Sequence, residues 1–91
     1  MATEVVSGTF SGTGQSSTIT GTKFDIIMDF AGTASVDIEI QMPSGTWMKL
    51  GTSVTADSQQ VAEFAAAETL RLNCTAFTNN VEYLIKRGEL R

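Results

Sequence analysis

KFDIIMDFAGTASVDIEIQM, residues 23–42, reads as two strands joined at Ala31-Gly32. In the first, Phe24, Ile26, Met28 and Phe30 point one way, and Asp25, Ile27 and Asp29 point the other. In the second, Val36, Ile38, Ile40 and Met42 alternate with Asp37, Glu39 and Gln41. A period of two marks a half-buried strand, because successive side chains on extended backbone leave on opposite faces. Gly32 is the residue expected to take the special dihedral of a tight connection. The stretch is therefore expected to form a hairpin at the centre of a small antiparallel fold.

Upstream, residues 3–10 (TEVVSGTF) read as a strand bulged at Gly8, residues 11–15 (SGTGQ) as a turn, and residues 16–20 (SSTIT) as a short β-prone piece anchored by Ile19. Downstream, Pro43-Ser44-Gly45 is a turn signal. Residues 46–50 (TWMKL) follow as a strand with Trp47 and Lys49 on one face and Met48 and Leu50 on the other. Trp47 is expected as a partial core residue or a hairpin lid. Residues 51–57 read as a loop or weak strand around Val54.

Residues 58–67 (SQQVAEFAAA) fit a short helix with Val61, Phe64 and Ala65 on one face, or a strand. The β character of both flanks favours a strand, ended by a turn at Glu68. Residues 69–78 (TLRLNCTAFT) are a strong strand with Leu70, Leu72, Cys74 and Ala76 as the inner row and Arg71, Asn73, Thr75 and Phe77 as the outer row. Asn79-Asn80 reads as a hairpin turn, since Asn tolerates left-handed dihedrals. In residues 81–87 (VEYLIKR), Val81, Tyr83 and Ile85 alternate with Glu82, Leu84 and Lys86. The expectation is one all-β domain over residues 1–91, an antiparallel β-sandwich or barrel of seven to eight short strands, with short flexible ends at 1–3 and 88–91.

Ninety-one residues suffice for one domain, and 42% hydrophobic content argues against general disorder. With one Trp and five Phe the core is thin, so docking on a larger assembly would add stability. Six Lys and Arg against ten Asp and Glu give a formal charge of −4, which argues against a nucleic-acid partner. No apolar run is long enough to suggest a membrane-spanning helix. The opening MATEVVSG does not read as a signal peptide, so synthesis in the cytosol is expected.

The chain has no His, which excludes Ser-His-Asp and Cys-His chemistry within it. Cys74 is the only cysteine and lies on an apolar row, where a thiol is expected to be buried and inert. Asp25, Asp29, Asp37 and Glu39 share one outward patch if the two central strands pair. Their spacing matches neither a glycosidase carboxylate pair nor a calcium loop, and the patch reads as a solvated face. No metal, cofactor or catalytic residue is expected. The Gly12-Thr13-Gly14-Gln15 run lacks a phosphate-loop lysine, and Asn73-Cys74-Thr75 reads as an accidental glycosylation sequon. Lys86, Arg87 and Arg91 make a small basic end suited to solvent or to an acidic partner. Phe77, Leu84 and Ile27 are apolar at positions expected to face out. With Trp47 and Arg87 they are the candidate interface residues.

From the central stretch through Ser44-Gly45-Thr46-Trp47, residues 54–57 (VTAD) and residues 70–78 (LRLNCTAFT), the chain resembles small β-sandwich structural proteins of tailed bacteriophages. The resemblance covers residues 22–87. It implies a non-enzymatic virion role: a capsid decoration protein on the major capsid lattice, as a trimer or as monomers, or else a tail, neck or fibre component or attachment module contacting a host surface or glycan. The Gly45-Thr46-Trp47 turn is also similar to the aspartate-box hairpin of sialidase-like repeats. Pro43 and Ser44 stand where that pattern has its Asp and extra Gly, so no sugar-processing activity follows.

Overall fold

The computed structural model describes residues 4–88. They form seven antiparallel strands: β1 (Glu4–Phe10), β2 (Gly14–Gln15), β3 (Ile19–Phe30), β4 (Ala34–Gln41), β5 (Trp47–Val54), β6 (Ser58–Phe77) and β7 (Val81–Gly88). All belong to one hydrogen-bonded sheet in the order β1-β7-β3-β6-β4-β5, with β2 paired to β6 off that path. Gly88 therefore ends β7; the expectations for residues 1–3 and 89–91 fall outside the described residues.

The central stretch does form two strands, but they do not pair with each other. β3 lies between β7 and β6, and β4 lies between β6 and β5. Among consecutive strands only β4 and β5 pair, around a turn in which Gly45 N–H donates to Met42 O at 2.8 Å and Met42 N–H donates to Thr46 O at 2.7 Å. Residues 31–33 instead carry the chain across from a position beside β7 to one beside β6. Residues 78–80 make the reverse crossing, so Asn79-Asn80 is not a hairpin turn either. The two crossings are laced together. Ala31 N–H donates to Asn80 O at 2.9 Å, Thr78 and Asn79 N–H both donate to Thr33 O, and Thr33 N–H donates to Asn79 Oδ1 at 3.0 Å. Gly32 does not take a positive φ. It is needed because a Cβ there would overlap the Asn79 side chain.

β6 is a single strand of 20 residues, with no turn at Glu68. It stays continuous by a slip of register: Gly21 faces Glu68 and Lys23 faces Glu63, so Thr22 alone opposes residues 64–67. Ala65, Ala66 and Ala67 of this bulge are exposed, while Phe64 meets the Phe24 ring edge-on at 6.1 Å. The N-terminal part of β6 pairs with β3. Its C-terminal part pairs with β2 on one side and β4 on the other. Long β6 and β3 thus join two halves of the sheet: β1, β7, the later part of β3 and the start of β6; and β2, the end of β6, β4 and β5.

Both halves supply one core. Phe24, Ile26 and Met28 of β3 and Val81 and Ile85 of β7 cluster with Val36 and Ile38 of β4 and Leu70, Leu72 and Cys74 of β6, all buried. Phe10, Ile19, Ala34 and Val54 complete it. Burial of each large side chain contributes about 1.5–3 kcal/mol before conformational entropy is subtracted. Three members of the expected core, Phe30, Ile40 and Tyr83, are only partly buried and pack against its margin. β5 extends as far as Val54 because it bulges opposite Asp37, with Gly51 at φ +68°, a left-handed conformation that disfavours side-chain-bearing residues.

Candidate functional site

The strands present two outward faces of different chemistry. On the half built from β2, β6, β4 and β5, Glu39 is only 9% exposed, contrary to the expectation of a solvated carboxylate. Its Oε1 accepts from Arg71 Nε at 2.7 Å and its Oε2 from Asn73 Nδ2 at 3.1 Å. Register explains this: Glu39 sits directly opposite Arg71 on β6. The guanidinium also lies 4.2 Å from the centroid of the Trp47 ring, in cation–π geometry. Gln15 Nε2 donates to Asn73 Oδ1, which extends the network to β2. Beside it, Lys49 Nζ donates to Ser53 Oγ, and Ser53 donates to Asp37. Trp47 stands outside the core cluster, half-buried beneath Arg71 where the β4–β5 hairpin closes.

The half built from β1, β7, β3 and β6 presents the other face. Ile27 of β3 and Leu84 of β7 are direct cross-strand partners, both half-buried. Leu84 in turn faces Ser7 on β1. Val5 and Val61, 50% and 61% exposed, lie one step away at the two sides of this face, on β1 and β6. A shallow groove runs over the Ile27–Leu84 pair, lined also by Ser7, Tyr83, Asp29 and Glu82. Asp29 and Glu82 face each other across the β3–β7 ladder, both exposed. Like charges directly opposite on neighbouring strands repel. Asp25 is on the same face two residues before Ile27, facing Lys86 and accepting from Gln59 Nε2 at 3.2 Å. The four acids expected in one patch are therefore divided: Asp25 and Asp29 on this face, Asp37 and Glu39 on the other.

Of the five candidate interface residues, the structure brings Ile27 and Leu84 together. Phe77 packs against the core margin, contrary to its expected outward position. The reason is a one-residue bulge: Val36 faces Cys74 but Ser35 faces Ala76, so Thr75 is skipped and the parity of the strand inverts. Ala76, expected inside, is exposed for the same reason. Arg87 lies along Gly21, where a Cβ would collide with its stem, and its Nη1 donates to Thr20 O at 2.7 Å. Arg71, Asn73, Gln15 and Glu82 were not legible as site residues, because their significance lies in cross-strand neighbours far away in sequence.

Cys74 is fully enclosed, and burial pushes its thiol pKa up, so it packs as a neutral side chain. Asp57 Oδ1 accepts from Phe30 N–H at 2.7 Å and fastens the β5–β6 connection to the end of β3. Among the described residues no group of three or more His, Cys, Asp or Glu gathers as a metal-binding set. Comparison with protein-family models, curated proteins and solved structures finds no match.

Proposed function

We propose that this protein is a non-enzymatic structural protein of a virion, made in the host cytoplasm, and that it decorates and stabilises a capsid by docking on the major capsid lattice. The observation that carries the reading is the outer face of β1, β7, β3 and β6. Each of its four strands carries an apolar side chain: Ile27 and Leu84 adjoin at the central groove, and Val5 and Val61 flank the Lys86–Asp25 pair in the next row. A protein that works by surface contact needs such a face, with a core and a rim. The resemblance of residues 22–87 to small phage structural proteins supports the same reading. Two reactive side-chain types are engaged in ways that suit a scaffold: Cys74 packs in the core, and Glu39 is held by Arg71 and Asn73.

The fold that goes with this reading is a small β-sandwich, in which the sheet doubles over on itself. Support comes from the single core fed by both halves and from a thinnest extent of 19 Å, room for two layers spaced about 10 Å apart with their pleats.

Electron cryo-microscopy of the parent particle tests the proposal. Density for this chain in many copies on the shell is the expected result. Density confined to the tail, neck or fibres would overturn decoration in favour of an attachment role, for which the polar Trp47–Arg71 face would be the surface to examine.

A further inference from the structure

We infer that the groove over Ile27 and Leu84 receives a protein segment carrying a cationic side chain next to an apolar one, with arginine the best fit. This deepens the docking role proposed above by naming the chemistry of the partner. It does not require that the partner be a capsid subunit.

Asp29 and Glu82 are direct cross-strand partners, both exposed, at one end of the apolar pair. Neither forms an ion pair among the described residues, where Arg71–Glu39 is the one pair within bonding distance. On the opposite face the equivalent problem is solved internally, since Glu39 is placed across from Arg71. On this face the chain sets two carboxylates against each other and leaves them to solvent. A cation laid between them removes the repulsion and gains two charge-assisted contacts.

Geometry then favours a particular kind of cation. Asp29 and Glu82 line two adjoining depressions. One is the apolar groove with Ile27, Leu84, Tyr83 and Ser7; the other is a polar notch with Thr9, Ala31 and Asn80. A side chain entering from the groove therefore meets carboxylates first and hydroxyl and amide groups beyond. Arginine's planar fork of five donors can use several acceptors in different directions, and its weakly hydrated stem tolerates an apolar wall. A lysine would satisfy one point and leave the rest. The neighbouring apolar side chain of the partner would cover Ile27 and Leu84.

The test is chemical-shift mapping on the full chain with three blocked tripeptides: Leu-Arg-Leu, Leu-Glu-Leu and Ser-Arg-Ser. Leu-Arg-Leu is expected to move the signals of Ile27, Leu84 and Glu82 and to leave Trp47 unmoved. Leu-Glu-Leu should move none of them, and Ser-Arg-Ser should bind more weakly than Leu-Arg-Leu. The double variant Asp29→Asn, Glu82→Gln should weaken Leu-Arg-Leu by about fivefold or more. Glu63→Gln, an exposed acid elsewhere on β6, should not. Equal response to the acidic peptide, mapping to the Trp47 face, or no response to any peptide would overturn the inference. Native-like spectra of the double variant establish that the loss is local. Mapping that succeeds while cryo-microscopy finds no shell density would sink the capsid reading and leave this one standing.

Discussion

The two outer faces share only strand β6, yet they treat charge in different ways. On the β2-β6-β4-β5 face, Glu39, Arg71, Asn73, Gln15 and Trp47 are joined by short contacts, and Asp37, Ser53 and Lys49 form a second chain beside them. On the β1-β7-β3-β6 face, Asp29 and Glu82 oppose each other with a groove alongside and an apolar pair as its floor. The first face has spent its polar groups on its own stability. The second leaves one opposed pair of carboxylates, Asp29 and Glu82, without an ion-pair partner among the described residues, next to surface that gains from being covered. In a thin fold the distinction separates a structural surface from a binding one. It also predicts different consequences for substitutions of similar type.

The largest effect should erase the comparison altogether. Both faces stand on one core, and Leu72 is buried at its centre with no exposed surface. Leu72→Ala should cost about 2–5 kcal/mol, the transfer free energy plus the cavity left behind. The only Trp and the only Tyr report on different halves: Trp47 on the locked face, Tyr83 against Phe10 at a ring distance of 4.7 Å. Their signals should fall together in a denaturant titration of both wild type and variant. If Tyr83 is lost before Trp47, the halves unfold separately and the shared core is not what couples them.

A second prediction separates the faces. Glu39→Ala leaves Arg71 and Asn73 without their shared acceptor in a nearly enclosed place, and should cost about 1.5–3 kcal/mol, the range for hydrogen bonds to charged groups. Asp25→Ala, on the other face and bonded to an exposed Gln59 amide, should stay within about 0.5 kcal/mol. Equilibrium unfolding in urea measures both. A similar cost for the two would mean that the apparent locking of the first face carries no stability.

Much of this architecture was legible as strands and little of it as partnerships. Period-two alternation in residues 24–30 and 36–41 identified two strands and the direction of most side chains, because burial on one face writes itself into the sequence. It could not say that residues 31–33 cross between halves, since a short glycine-bearing connection looks the same whether its flanking strands pair or part. The turn expected at Glu68, after a strand over residues 58–67, is instead a slip of register within one long strand. Phe77 shows the limit most sharply. Alternation counts residues, and one skipped residue at Thr75 reverses every assignment after it. Ile27 and Leu84 were visible as surplus apolar residues, but their adjacency depends on the β3–β7 ladder. Glu39 looked like any outward acid until Arg71, 32 positions away, was found across from it.

The smallest expected effect is the one that most sharpens the contrast between the faces. Glu82→Lys replaces a repelling cross-strand pair by an attracting one, opposite Asp29. It should raise the stability of the free protein by about 0.2–1 kcal/mol, less at high salt, because both groups are exposed and screened. The same substitution fills the cation's place with the chain's own lysine, so the arginine peptide should lose its site. A group that destabilises the free fold and is retained for contact has this signature: its replacement improves stability and removes binding. Thermal unfolding at low and high salt, set beside peptide titration of the same sample, reads both quantities. If Glu82→Lys lowers stability while binding persists, the carboxylate belongs to the scaffold after all, and the two faces do not differ in kind.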